Sequence, residues 1–177
     1  MITSEQIKAL RDKTGISVMA CKKALEEAEG DEAKALEILK DKSAEQAAKK
    51  GDREFGAGIV EAYIHSNGLT GSMIELACET DFVSNNIEFK TMAKDIAMQV
   101  VAFAPVVIKE SEVTDEIKAT AVANNGGEEV DVASLSLLTQ PFIKNGDLTI
   151  QGVLDAAMQK FGERIEVLKF SRFEIGK

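Results

Sequence analysis

The sequence has few of the residues from which most active sites and membrane segments are built. It contains no tryptophan, one tyrosine and one histidine, His65. A histidine-rich metal site is therefore excluded, and a catalytic triad could use only His65. No apolar run approaches the roughly 20 residues of a membrane-spanning helix. The N-terminal residues Met1–Glu5 lack the basic and apolar pattern of a signal peptide. We therefore expect a cytoplasmic protein that does not enter a membrane.

Positive charge and cysteine are also scarce. The chain has 21 Lys and Arg against 30 Asp and Glu, which gives a formal net charge of -9. Phosphate-driven binding to nucleic acid needs clustered basic residues, so we expect no direct nucleic-acid contact and favour a basic protein partner. The two cysteines, Cys21 and Cys78, both fall on predicted apolar faces. We interpret them as reduced core residues rather than as a disulfide or a metal site.

Cofactor-binding motifs are missing as well. Neither Gly-x-x-x-x-Gly-Lys-Ser/Thr nor Gly-x-Gly-x-x-Gly occurs, so no nucleotide or other cofactor is expected on this chain. Glu75, Glu79 and Asp81 have the spacing of a solvated strand face, and no His or Cys completes a metal set. An enzyme is therefore the weakest hypothesis, because His65 lies in a predicted hairpin turn, exposed to water.

Helical periodicity dominates the first quarter of the sequence and predicts three short helices. Thr3 and Gln6 form a capping pair, Gly15 ends the first helix, Gly30 ends the second, and Asp31 can cap the third. We predict a three-helix bundle over residues 1–41 and a helical linker over 42–58. The linker closes with Gly56-Ala57-Gly58, which we interpret as a flexible joint.

The rest of the chain, residues 59–177, is predicted to form an α+β core. Strands are expected at 59–64, 70–78 and 165–173, with hairpin turn residues at 65–68. A helix should begin near Phe89 and end before Pro105, and another should carry Ile150 and end at Gly162. Residues 112–123 favour a helix, and the remainder of 106–135 carries no clear pattern. The fold class is thus a small antiparallel sheet covered by helices.

A short segment after the second strand, Thr80–Val83, does not follow the pattern on either side of it, and we call it the tip segment. In the strand, Ile74, Leu76 and Cys78 alternate with Glu75, Ala77 and Glu79, which predicts one apolar and one wet face. Thr80 is expected to cap the next turn, with Asp81 near its positive end. Phe82 then has two interpretations. It packs back onto the core, which the residues alone favour, or it projects and enters a pocket of another protein.

Two motifs resemble those of the bacterial elongation factor Ts family. Residues Leu10–Leu25, LRDKTGISVMACKKAL, are similar to its N-terminal signature, and Glu75–Ser84 resembles its second signature. The resemblance continues through Gln140–Phe142, Phe161–Glu163 and Arg172–Gly176. It implies a ubiquitin-associated-like three-helix domain followed by an α+β core. It also implies a guanine-nucleotide exchange factor for elongation factor Tu that makes or breaks no covalent bond.

The resemblance also implies roles for particular residues. Thr80, Asp81, Phe82 and Val83 would enter the partner near its Mg²⁺ site and displace the cation, which reverses the preference for a core Phe82. In the bundle, Arg11, Val18, Met19 and Lys22 would contact a helix of the GTPase domain. Further partner contacts are implied at the corner formed by Phe161 and Gly162, and at His65.

Several positions depart from the family pattern. Ala20 stands where an acidic residue is common, Ala77 where Asn is common, and Gln99 where His is often found. The chain has one core subdomain, like the short form of the family, so a homodimer giving a 2:2 complex with elongation factor Tu is our hypothesis. Ser171 stands where a short relative has Cys, so no covalent dimer is expected. The segment 106–135 looks shortened. A module that binds elongation factor Tu without accelerating release is the alternative.

Overall fold

The N-terminal part of the chain forms three helices around a small apolar core. The computed structural model describes residues 2–176. Within them, α1 spans Ser4–Thr14, α2 Val18–Glu27 and α3 Glu32–Ala48. The expected caps form: Gln6 and Thr3 make a reciprocal capping box, and the Asp31 side chain accepts the N–H groups of Ala33 and Lys34. The bundle core contains Leu10, Ile16, Cys21, Ala24, Leu25, Ala28, Ala35 and Leu39.

The remaining elements follow in the order strand, strand, helices, short hairpin, helix, strand. They are β1 (Ala57–Ile64), β2 (Thr70–Cys78), α4 (Asp81–Ser84), α5 (Ile87–Phe103), a 3-10 turn (Glu110–Glu112), α6 (Asp115–Asn124), α7 (Val132–Leu135), β3 (Pro141–Phe142), β4 (Asn145–Thr149), α8 (Ile150–Phe161) and β5 (Glu166–Glu174). The α+β fold class is therefore confirmed, with a helical bundle at the N-terminus.

The main sheet has three antiparallel strands in the order β1-β2-β5, so β2 is central. Ala57 faces Cys78 at one end of the β1–β2 hairpin, and Ile64 faces Gly71 at the other. A bulge between Glu75 and Leu76 interrupts the ladder to β5. One face of the sheet packs on α5 and α8 around a core that includes Ile74, Leu76, Phe89, Ile96, Val100, Leu137, Ile150, Leu154 and Ile165. The other face is open to solvent.

The linker is not the flexible joint that its glycines suggested. Helix α3 runs through position 41 and ends at Ala48, so the first part of the predicted linker continues the bundle's last helix. Lys50 Nζ, buried, donates to the Met158 carbonyl at 2.6 Å, which ties the chain to α8. A Cβ on Gly58 would lie 2.6 Å from the Leu76 carbonyl oxygen, and one on Gly56 2.7 Å from that of Glu79. These glycines allow close strand approach. The division into domains itself stays a prediction.

The region between α5 and α8 contains elements that the sequence did not predict. Helix α6 matches the helix expected over 112–123 but starts at Asp115. Helix α7 and the β3–β4 hairpin were missed, as was a parallel bridge between Val107 and Ser136. Buried Gln99 holds this region: its Nε2 donates to the Pro141 carbonyl at 3.0 Å, and its Oε1 accepts the Ile143 N–H at 2.8 Å.

Residues 2–176 contain neither a membrane-spanning helix nor a metal-binding cluster of side chains. No helix there has both the length and the apolar character needed to cross a membrane. No cluster of three or more His, Cys, Asp or Glu side chains in that range could hold a metal ion.

Candidate functional site

The tip segment forms a one-turn helix, α4, that projects from the end of the central strand. Phe82 is 87% exposed, whereas its neighbour Val83 is only 7% exposed and belongs to the main core. Helix α4 therefore has one residue anchored inward and a large aromatic ring directed at solvent. The structure supports the projecting interpretation of Phe82 and contradicts the core interpretation that the residues alone favoured.

Thr80 does not cap this helix, contrary to our prediction. It occupies the N-cap position, but its side chain makes no capping hydrogen bond. Its hydroxyl instead donates to Glu163 Oε1, and its N–H donates to Glu163 Oε2 at 3.0 Å. The bond that the hydroxyl donates to this carboxylate, from the loop after α8, is charge-assisted and directs the Thr80 side chain toward Glu163 instead of the α4 amides. Asp81, the first residue of α4, is exposed.

Glu79, just before the tip segment, is held by two arginines. Its Oε1 accepts the Arg164 N–H at 2.5 Å and the Arg53 Nη1 at 3.1 Å. Burial works to raise the pKa of Glu79, but these hydrogen bonds and the nearby positive charge hold that pKa below its usual value. The carboxylate is thus ionised at neutral pH and joins three separate parts of the chain.

The corner at Phe161 and Gly162 lies beside this network. Gly162 ends α8 in a left-handed conformation with φ 78°, and its carbonyl accepts from Arg53 Nη1 at 3.2 Å. Phe161 is half-buried and packs edge-on against Phe89, with ring centroids 6.5 Å apart. The structure therefore brings this corner to the base of the tip segment, and Phe161 also serves the core.

The four bundle residues implied as partner contacts are all exposed, one on α1 and three on α2. Val18 is 50% and Met19 64% exposed, and both lie in the first turn of α2. Arg11 and Lys22 are exposed, and Lys22 pairs with Glu26 at 3.8 Å. A cleft of about 380 Å³ lies between the bundle and the core, lined by Gly15 on one side and Phe161 on the other. The cleft thus runs from the end of α1 to the Phe161 corner, and Arg11, Val18, Met19 and Lys22 do not line it.

His65 lies far from this groove and from the tip segment. It is exposed in the β1–β2 turn, where its N–H donates to the Thr70 carbonyl at 2.9 Å and its Nδ1 lies 3.3 Å from the Tyr63 hydroxyl. The tip segment follows the opposite end of the same hairpin. Seven residue steps at about 3.4 Å each separate the two ends by roughly 24 Å. A single compact pocket of a partner therefore cannot contact both His65 and the tip segment.

Comparison with known proteins shows the family of this chain. Residues 22–126 match the family model described as Elongation factor TS. A protein of Carboxydothermus hydrogenoformans called Elongation factor Ts is 43% identical over an alignment covering 100% of this chain and 90% of that protein. Proteins of the same name from Desulforamulus reducens and Leptospira biflexa are 40% and 41% identical over 99% of this chain, covering 90% and 98% of their own lengths. The chain belongs to the elongation factor Ts family.

Three positions that depart from the usual pattern of elongation factor Ts have distinct surroundings. Ala20 donates its N–H to Ser17 Oγ at 3.3 Å, but it has no carboxylate to complete a capping box with Ser17. Ala77 is buried, so the alternation of apolar and wet residues ends after the bulge at Glu75, contrary to our prediction. Gln99 makes three hydrogen bonds to the segment 140–143, and a neutral His, with one donor and one acceptor, could only partly replace them.

Residue Glu163 was not identified as a site residue from the sequence. It appeared only within a matched motif, and its three hydrogen bonds reach residues more than eighty positions away. No local periodicity or spacing signals such a contact. The one available signal was its position directly after Gly162 in a motif shared with elongation factor Ts.

Proposed function

We propose that this protein is a guanine-nucleotide exchange factor for elongation factor Tu and acts in the cytoplasm during polypeptide elongation. It would bind the partner in its GDP-bound form, promote release of GDP and allow GTP to bind. Membership of the elongation factor Ts family supports this proposal. It needs no covalent chemistry, because the protein changes an equilibrium and a rate of dissociation rather than a bond.

The observation that carries the proposal is the exposure of Phe82. An apolar ring that is 87% exposed at the end of a rigid strand has no role in the core of this chain. Aromatic side chains are efficient contact residues, because they bury a large area and have few rotatable bonds. Phe82 is therefore suited to enter a preformed pocket on a partner, with Asp81 and Thr80 at its base.

The proposed mechanism is displacement of the partner's Mg²⁺ by the tip segment. A Mg²⁺ ion offsets the negative charge of a bound diphosphate, so moving the ion weakens the hold on GDP. Thr80, Asp81, Phe82 and Val83 would carry out this step. Thermodynamic linkage makes the effect reciprocal. If this protein lowers the affinity of elongation factor Tu for GDP by a given ratio, GDP lowers the affinity of elongation factor Tu for this protein by the same ratio.

Additional contacts would determine affinity. We assign Arg11, Val18, Met19 and Lys22 to one contact with the partner and the corner at Phe161 and Gly162 to a second. The cleft between bundle and core lies next to the second of these contacts, since Phe161 lines it. His65, at the far end of the hairpin, would contact a separate domain of elongation factor Tu.

We further propose that two copies of the chain associate and bind two molecules of elongation factor Tu. The solvent face of the main sheet supports this, because it exposes Val60, Ile64, Met73 and Phe173 on adjacent strands. An apolar sheet face of this kind packs well against a second sheet. Ser171 pairs with Met73 in the same sheet and offers no thiol for a covalent link.

Release of a fluorescent GDP analogue from elongation factor Tu tests the exchange function. We expect release to accelerate when the protein is added and to respond to its concentration until it saturates. Unchanged release together with measurable binding would instead establish the pure binding module. Unchanged release without binding would exclude both functions.

Sedimentation at micromolar concentration tests association. We expect a dimer mass for the wild type and a monomer mass for Met73→Asp, because a carboxylate would be buried in the proposed contact. Glu128→Ala, which changes an exposed side chain in the turn after α6 and away from this sheet, is the control and should leave the dimer intact. A monomer mass for the wild type would contradict the dimer.

A further inference from the structure

Glu163 holds the start of the tip segment from the opposite part of the core. It lies in the loop between α8 and β5, and its Oε2 accepts the N–H of Glu79 at 3.1 Å and the N–H of Thr80 at 3.0 Å. Its Oε1 accepts the Thr80 hydroxyl. All three donors belong to the two residues that precede α4. One carboxylate thus accepts all three of these hydrogen bonds, at the start of the turn from which Phe82 projects.

Glu79 makes the reverse contact. Its carboxylate accepts the N–H of Arg164, the residue immediately after Glu163, at 2.5 Å. Each glutamate therefore accepts a backbone N–H from the segment that carries the other. Arg53 Nη1 binds Glu79, and Arg164 Nη1 donates to the Arg53 carbonyl at 2.6 Å, so the linker closes the arrangement.

The tip segment needs such support because α4 has almost no stability of its own. A helix of four residues contains barely one turn, and isolated short helices do not persist in water. The Thr80 side chain does not cap it, and Val83 is its one buried residue. Val83 fixes the end of the turn that follows Phe82. Glu163 fixes the end that precedes it.

We propose that Glu163 is a positioning residue for nucleotide exchange: it sets the direction in which Phe82 leaves the core, without itself touching the nucleotide or the Mg²⁺. This inference rests on the exchange function proposed above. Three hydrogen bonds from two successive residues converge on this one side chain, so its length and position restrict the start of the turn. A misplacement of about 1 Å in a reacting or inserting group can lower a rate roughly a hundredfold.

Two substitutions of Glu163 distinguish a positioning role of its side chain from a direct role of its negative charge. In Glu163→Gln the side chain keeps its length, its oxygen can accept both N–H groups, and its NH₂ can donate to Thr80 Oγ1. In Glu163→Asp the negative charge is kept, but the carboxylate is one methylene shorter and cannot reach all three donors. Positioning predicts near-normal exchange for Gln and impaired exchange for Asp. A direct electrostatic role for Glu163 predicts the opposite order.

The contact itself is tested in the free full-length protein by amide hydrogen exchange. In the wild type and Glu163→Gln, the Glu79 and Thr80 amides should be protected. In Glu163→Ala and Glu163→Asp they should exchange about tenfold faster or more, while amides of α1 and α2 stay unchanged. Glu128→Ala, in the exposed turn after α6, is the control and should have no effect. Equal protection in all variants would overturn the proposed support.

The functional role is tested by the release rate of a fluorescent GDP analogue as a function of factor concentration. We expect Glu163→Ala and Glu163→Asp to lower the saturating rate about tenfold with little change in half-saturating concentration, because the bundle contacts are intact. Glu163→Gln should stay within about threefold of wild type, because its side chain can still bond all three groups. If Glu163→Ala has a normal saturating rate despite loss of amide protection, Glu163 does not position the tip. If the wild type itself fails to accelerate release, the exchange function is wrong and the positioning role with it, whereas the amide measurement still decides whether the contact exists.

Discussion

The tip segment and the exposed surface of the bundle both present apolar side chains to solvent, but they are supported in different ways. Met19 and Val18 lie on a ten-residue helix whose N-terminus is capped by Ser17, a neighbour in sequence. Phe82 lies on a single turn whose start is fixed by Glu163. The bundle surface is therefore a product of local sequence, and the tip segment is a product of the tertiary fold. We expect the first to control affinity and the second to control rate.

Phe82→Ala should have the largest effect and tests the role of the tip directly. Removing a central aromatic contact typically costs about 2 kcal/mol or more, which corresponds to roughly a thirtyfold fall in the saturating rate of GDP release. Phe103→Ala is the control, since Phe103 is an exposed phenylalanine at the far end of α5. An equal fall for both variants would show that general damage, rather than loss of the tip, explains the result.

Gly58→Ala should disturb the frame behind the tip. A Cβ at position 58 would lie 2.6 Å from the Leu76 carbonyl oxygen and 3.0 Å from Ala77 Cα, and backbone atoms cannot move aside cheaply. We expect a loss of about 1–3 kcal/mol in the free energy of unfolding, measured with urea. Gly146→Ala meets no atom within 4 Å and should change stability by less than about 0.5 kcal/mol. A stable Gly58→Ala variant would show that β1 can shift freely.

Met19→Ala should have a smaller effect, on a different quantity. Loss of a peripheral apolar contact usually costs about 1 kcal/mol, so the half-saturating concentration should rise roughly fivefold while the saturating rate is unchanged. Leu168→Ala, at a similarly exposed position on β5, serves as the control. A reduced saturating rate for Met19→Ala would remove the proposed distinction between affinity at the bundle and rate at the tip.

Asp155→Asn should have the smallest effect. It changes a buried residue of the core where helix α8 packs against helix α3 of the bundle. Asp155 on α8 is 7% exposed and lines a cavity against α3, and burial raises the pKa of its carboxyl despite a hydrogen bond from Gln151. A pKa raised in the folded state adds stability at low pH, and that stability is lost as pH rises through the folded pKa. At neutral pH the Asn variant should therefore be more stable than the wild type.

Below the ordinary pKa of aspartate, near 3.8, that advantage should disappear, because both proteins are then neutral at this position. Urea unfolding at several pH values measures the difference. Asp147→Asn changes an exposed carboxylate on the rim of the same cavity and is the control. A difference between wild type and Asp155→Asn that does not vary with pH would contradict the assignment.

The elements predicted correctly are those whose signals are local. The Thr3–Gln6 capping box, the stop at Gly15, the turn at Asn67-Gly68 and the stop at Gly162 each depend on residues within a few positions of one another. The antiparallel pairing of the first two strands followed from the shortness of that turn. Phe82 was correctly placed only through the family resemblance, because exposure of an aromatic ring has no local sequence signal.

The elements that were missed depend on contacts between distant residues. Thr80 has the ordinary pattern of a helix cap, yet its hydroxyl donates to a carboxylate 83 positions away and caps nothing. The β3–β4 hairpin is short and begins at a proline, and it is held by Gln99 from 42 positions earlier. Gly56 and Gly58 looked like a flexible joint because sequence alone does not show that another backbone lies against them.

The central position of β2 has a mechanical consequence. The part of a partner's push on Phe82 that acts along β2 loads the two ladders, because β1 and β5 are bonded to the two sides of β2. Hydrogen bonds in both ladders then carry the load together in shear, instead of breaking one after another as they would if an edge strand were peeled away. Strand β2 therefore deforms little under such a force, because hydrogen bonds hold it on both sides. The binding energy at Phe82 then acts on the partner rather than on the structure of this protein.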